Sequence, residues 1–147
     1  MHELALFGIA LALIAATVLL HAYGTMLWME YMVRKYTARD GDIRYGKAMQ
    51  VLLITTVVLL FLHLLEVLLW AIAYQVITPE SEIANLEQAF YFSLVTFTTL
   101  GYGDITLGPE WRVLSGIEAL NGVLLVGWST AFLFSVLQRT WEYKHKK

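Results

Sequence analysis

Three stretches of this chain carry almost no charge, and they leave few folds open to it. Leu4–Met29 contains no Asp, Glu, Lys or Arg, Ala48–Pro79 contains only Glu66, and Val113–Gln138 contains only Glu118. Each is longer than the ~20 apolar residues that carry a helix across a bilayer. Charged side chains make up 15% of the 147 residues and hydrophobic ones 59%, against roughly 25% charged in an ordinary soluble domain. The shortfall sits in these stretches, which predicts an all-α membrane protein with three transmembrane helices. A cleaved signal peptide fits the first stretch poorly. Only Met1, His2 and Glu3 precede it, none of them Lys or Arg, and the apolar run is too long.

The charges that remain predict an orientation. Arg34, Lys35, Arg39, Arg44 and Lys47 lie between the first two stretches, and Arg139, Lys144, Lys146 and Lys147 follow the third, so nine of the ten basic residues occupy two places. The positive-inside rule puts both in the cytoplasm. Glu80, Glu82, Glu87, Asp104 and Glu110 fall between the second and third stretches, with only Arg112 to offset them. The expected arrangement is multi-pass in the cell (inner) membrane, with the N-terminus outside and the C-terminus cytoplasmic. Membrane lipid is an expected partner, and the basic cluster from Arg34 to Lys47 can meet its anionic headgroups. The chain has no cysteine, which removes disulfides and thiolate metal sites. No nucleophile–base pair or metal-ligand cluster stands above background. Neither an enzymatic activity, a cofactor nor a nucleic-acid partner is expected.

The first helix is expected from about Glu3 to Arg34, ~45 Å at 1.5 Å per residue, and the second from near Tyr45 to Ile77, ending before Pro79. Thr37–Asp42, "TARDGD", has turn composition. Between Pro79 and Trp111 the pattern changes. "NLEQAFYFSLVTFT" reads as a helix of about 13 residues from Leu86, too short to span. Asn85 is its expected N-cap, Gln88 can reach back as in a capping box, and Glu87 suits the helix dipole. A Gly-rich segment and the turn "TLGPEW" follow. A short helix and irregular backbone with both ends outside make a re-entrant loop, tolerated at membrane depth where protein buries it or water reaches it.

Within that loop, "TTLGYGD", Thr98–Asp104, resembles the selectivity-filter sequence of the potassium-channel family, matching its Thr-Thr-(Val/Ile)-Gly-Tyr-Gly-Asp pattern at six of seven positions. The context of outer helix, short helix, filter and inner helix fits as well, over roughly Ala48 to Arg139. The resemblance implies K+ ions held by the carbonyls of Thr99, Leu100, Gly101 and Tyr102, with the Thr99 hydroxyl. Thr98, Gly103 and Asp104 would support the filter, and Tyr102 would brace it against Phe90, Tyr91 and Phe92. Gly101 and Gly103 suit the task because they can take φ > 0, which lets successive peptide planes alternate in handedness. One chain supplies one loop, so a cage of carbonyls requires a homotetrameric pore. The segments become an extra N-terminal transmembrane helix (1–36), a basic linker (37–46), a pore domain (47–140) and a short basic tail (141–147). Leu100 stands where Val or Ile is usual. Val95 and Phe92 stand where several members carry a Glu and a Trp that tie the filter to its Asp, leaving Asp104 without that anchor.

Polar residues inside the spans are functional candidates by default. Glu118 is read as packing behind the filter in place of the missing pore-helix Glu, bonded to Thr96 or Thr98. The alternative is a structural carboxyl partnered by Asn121. His63 and Glu66, with His21, read as polar glue between the first helix and the pore domain, remote from the ion path, or else as a proton sensor. Gly127, Ala131 and Ser135 form a small-residue stripe expected to face the pore. Gly122 and Gly127 are candidate gating hinges. The expectation is a K+-selective channel subunit conducting passively. A weakly selective cation channel and a non-conducting pore-like membrane subunit are the alternatives.

Overall fold

The computed structural model describes residues 2–36, 47–79 and 82–145, with side chains for 4–36, 47–79 and 82–139. Four helices follow in order: α1 His2–Tyr36, α2 Ala48–Ile77, α3 Leu86–Phe97 and α4 Arg112–His145. Helices α1, α2 and α4 are long and apolar enough to cross a membrane, whereas the 12 residues of α3 are not. The linker at 37–46 lies outside the described residues. Helix α4 runs on through most of the segment read as a tail, ending at His145.

Each boundary has a local cause. Helix α2 stops where Thr78 turns extended, at φ −90° and ψ 149°, because the residue before a proline is pushed out of the helical region. The Thr78 N–H and hydroxyl both bond the Tyr74 carbonyl, at 2.9 and 2.7 Å, closing the last turn. Helix α3 begins at the expected cap, with the Asn85 side chain accepting from the Gln88 N–H at 2.9 Å. Gln88 does reach back, but to the N–H of Ala84 instead of that of Asn85.

Helix α1 buries one stripe, Leu6, Ala10, Thr17, His21, Thr25, Met32 and Tyr36, and exposes apolar residues such as Leu4, Leu11 and Leu19 elsewhere. A helix apolar all round with only one stripe packed suits lipid on its other faces. The stripe lies along α2 and α4. At one end Leu6 and Ala10 join Val67, Trp70 and Tyr74 of α2, Phe92 and Phe97 of α3, and Leu114 and Leu125 of α4 in a single core. At the other, Met32 and Tyr36 pack with Val51 and Val136. Gly24 permits a close approach between α1 and α2, since a Cβ there would fall 2.5 Å from Leu62 Cδ2. Nearby, Trp28 Nε1 donates to Thr55 Oγ1 at 2.9 Å. Helix α3 is thereby held behind a wall made by α2 and α4, which positions the loop that follows it.

Candidate functional site

The loop after α3 is anchored by its own N–H groups. Thr99 N donates to the Thr96 carbonyl at 2.9 Å, and Leu100 N and Gly101 N both donate to that of Val95, at 2.9 and 3.2 Å. These carbonyls belong to the last turn of α3, which an isolated helix leaves unpaired. Among the described residues no backbone N–H donates to the carbonyls of Thr99, Leu100, Gly101 or Tyr102. The loop thus spends its donors on the helix and keeps its acceptors.

Its backbone alternates in handedness. Thr99, Gly101 and Gly103 have φ of 58°, 53° and 77°, while Leu100 and Tyr102 between them do not enter the positive region. Both glycines were expected to do this. Thr99 was not: a β-branched residue at positive φ is a genuine outlier. Such strain costs on the order of 1–3 kcal/mol and collects at functional sites. The neighbouring bonds to α3 hold Thr99 in place.

Asp104 has an anchor that the sequence did not reveal. The Tyr91 hydroxyl donates to Asp104 Oδ2 at 2.7 Å. That bond, chiefly, holds the Asp104 carboxyl below its usual range. Tyr91 sits on α3, so it does from its own position what Val95 and Phe92 cannot. Tyr102 does not brace against Phe90, Tyr91 and Phe92 within the chain; it is 67% exposed. Leu100 is exposed as well. A cavity of about 450 Å³, bordered by Tyr91, Val95, Thr96, Asp104, Ser115 and Ala119, lies beside the loop.

Glu118 is fully buried behind α3. Its carboxylate meets the Ser93 hydroxyl at 2.5 Å and the Tyr74 hydroxyl at 2.7 Å, joining α4 to α3 and α2. Ser93 also reaches the Val67 carbonyl at 2.9 Å. Its partner on α3 is Ser93, three residues before Thr96 and five before Thr98, instead of either threonine. The Thr98 hydroxyl bonds the Leu94 carbonyl instead. Asn121, the other expected partner, donates to Thr17 of α1 at 2.9 Å. Gly122 lies against the end of α3, where a Cβ would fall 2.1 Å from the Phe97 carbonyl oxygen. Gly127 has open space around it, and Ala131 and Ser135 are exposed with it.

His21, His63 and Glu66 are brought together, α1 to α2, and Ser129 of α4 joins them. The group touches α4, and the His63 ring lies 5.8 Å from that of Phe97 at the end of α3.

Residues 51–139, more than half of the chain, match the family described as ion channel. Two curated proteins resemble shorter stretches. One is the potassium voltage-gated channel protein shk-1 of Caenorhabditis elegans, 45% identical over 47 residues. The other is the potassium voltage-gated channel protein Shal of Drosophila melanogaster, 29% identical over 69 residues. The matched stretches make up 31% and 45% of this chain but only 9% and 12% of those proteins, so the chain spans about a tenth of their length. No solved structure matches it.

Proposed function

Because the chain belongs to the ion channel family, and so is a transport protein and not an enzyme, we propose that it is one subunit of a K+-selective channel with the loop 98–104 as its filter. The alternating backbone at Thr99, Gly101 and Gly103 carries the proposal. A dehydrated K+ needs oxygens in place of its water shell, and backbone carbonyls supply them when successive carbonyls turn to one side. An ordinary strand sends them alternately left and right; left-handed residues at every second position remove that alternation. The carbonyls of Thr99, Leu100, Gly101 and Tyr102, with the Thr99 hydroxyl, are the ion ligands in this reading. Thr98, Gly103 and Asp104 support the loop, and Glu118 holds α3 behind it.

Four copies are required to close the cage, so the subunit assembles as a homotetramer around the loop. The exposed Tyr102 and the 450 Å³ cavity beside the loop suit that assembly, since each is an incomplete contact in one chain. The C-terminal end of α3 adds partial negative charge on the inner side of the loop, favourable to a cation. The Gly127, Ala131 and Ser135 stripe, exposed in one chain, lines the inner cavity. The basic clusters face the cytoplasm and the N-terminus lies outside.

Ion flux through the purified protein in liposomes tests this reading, with K+ and Na+ gradients compared and Ba2+ added as a blocker. K+ flux well above Na+ flux, blocked by Ba2+, is the expected result. Equal fluxes would mean a weakly selective pore, with the Leu100 filter outside its selective geometry. No flux from an assembled tetramer would refute conduction under those conditions and favour a non-conducting subunit.

A further inference from the structure

Between the three spans lies a second polar site that conduction does not use. His21 on α1 and Glu66 on α2 are 0% exposed, and the His63 side chain is 16% exposed. The Nδ1 atoms of His21 and His63 lie 2.8 Å from Glu66 Oε1 and Oε2 respectively. Their far nitrogens converge on one atom, Ser129 Oγ of α4, at 3.3 Å for His21 and 2.9 Å for His63. The ring centres are 5.2 Å apart, and the edge of Trp128 closes against His21. From these contacts we infer that His21, His63 and Glu66 form a binding site for a divalent transition-metal ion of the zinc class.

The geometry is that of a ligand set. One ligand atom from each residue can be chosen so that all lie within 4.8 Å of one another. Two imidazoles and a carboxylate are the donors that zinc and its neighbours in the first transition row take. Two imidazoles on one tetrahedral ion, with metal–nitrogen bonds of ~2.0–2.1 Å, place their ring centres roughly 5 Å apart, close to the separation here. A cavity of about 200 Å³ reaches His63 and Ser129 and is bordered by the hydroxyl-bearing Thr56 and Thr130.

The hydrogen-bonding capacity of the cluster accommodates an ion. A metal ion would take both Nδ1 lone pairs and the carboxylate, and both Nε2–H groups would then donate to the Ser129 oxygen, which has two lone pairs to accept them. Without an ion, the four contacts close as a ring only with one proton for each contact, and the titration below separates the two arrangements. An outer-shell oxygen receiving the second N–H of a metal-bound imidazole is the usual support for such ligands. A dication also offsets the buried carboxylate charge. The ion would join α1 to α2 directly and α4 through Ser129. None of this depends on the filter.

Titration of the chelator-stripped, detergent-purified full chain with Zn2+, and separately with Co2+ followed by visible absorption, tests the site. The expected result is about one ion per chain and the intense visible bands of four-coordinate Co2+. Glu66→Gln and His63→Ala should each weaken Zn2+ binding at least tenfold and abolish those bands. His63→Gln keeps an amide that can bond Glu66, so it separates loss of a ligand from loss of the fold: it should elute as the parent does, yet fail to hold the ion. His145→Ala should bind as the parent does. No retained ion and no Co2+ bands in the parent would overturn the inference, leaving a hydrogen-bonded clamp. Binding unchanged in His63→Gln and Glu66→Gln would overturn it too, by placing the ion elsewhere.

Discussion

Gly122→Ala should push α4 away from the end of α3. The added Cβ would meet the Phe97 carbonyl oxygen at 2.1 Å, its carbon at 2.9 Å and the Phe97 Cγ at 3.0 Å. Carbon–oxygen contacts settle at ~3.3 Å or beyond, so relief needs about 1 Å of movement. The obstacle is backbone at the base of the loop, which no rotamer change can clear. Overpacking of this kind costs ~1–3 kcal/mol, occasionally more. Alanine would otherwise gain about 1 kcal/mol over glycine in a helix. Gly8→Ala supplies that reference, because a Cβ at Gly8 meets nothing within 4 Å. The helix gain is common to both variants, so they should differ by the overpacking cost, about 1–3 kcal/mol per chain. Thermal or denaturant-driven loss of fold in detergent reads the difference, and K+-over-Na+ flux reads its effect on the loop. Because Val95 and Thr96 carry the loop's bonds just before Phe97, selectivity should fall along with stability. Should Gly122→Ala match Gly8→Ala in both readouts, α4 is not seated on the Phe97 carbonyl.

Tyr91→Phe removes the donor that chiefly lowers the Asp104 pKa, so that pKa should rise toward the ordinary carboxylate value. A carboxyl held low keeps its contact at neutral pH and loses it only as pH falls through the lowered value. The parent's flux should therefore persist to more acidic external pH than the variant's, and superimposable profiles would count against the Asp104 anchor. Gly101→Ala must hold a side chain at φ 53°, at ~1–2 kcal/mol, and should lose K+ preference over Na+ in the same flux assay. Ser93→Ala leaves one Glu118 oxygen without its hydroxyl partner. It should destabilise the fold by ~1–3 kcal/mol, and the Tyr74→Phe combination should be non-additive in a thermal double-mutant cycle.

Much of the architecture was readable because its signals are local. Charge depletion marked the spans, Asn85 and Pro79 marked helix ends, and the two glycines marked the turns of the loop. What escaped was contact between segments far apart in sequence. His63 and Glu66 are visible as a pair one turn apart, but His21 stands 45 positions from Glu66. Its approach depends on how α1 lies against α2, so no metal-ligand cluster was legible. Tyr91 and Asp104 are separated by a turn whose path only the folded loop defines. Gly122 was read as a hinge because glycine permits bending; that a side chain there would strike the Phe97 carbonyl depends on how α4 lies against α3. Thr99 escaped for the opposite reason: its residue type argues against the conformation that its bonded neighbours impose.

Helix α4 is hydrogen-bonded to α1 at two places, Asn121 to Thr17 and Ser129 to His21. Eight residues separate these moorings, about 12 Å along the axis at 1.5 Å per residue. A rod tied twice along one side can tilt together with its neighbour, but it cannot spin about its own axis without breaking both ties. Beyond Ser129, toward the cytoplasmic end in the proposed orientation, α4 is held to its neighbours by apolar packing, Val136 with Met32, Tyr36 and Val51, which can slide where hydrogen bonds cannot. Helix α1, which makes no hydrogen bond to the loop 98–104 among the described residues, thus limits how α4, the pore-lining helix in the proposed reading, can move.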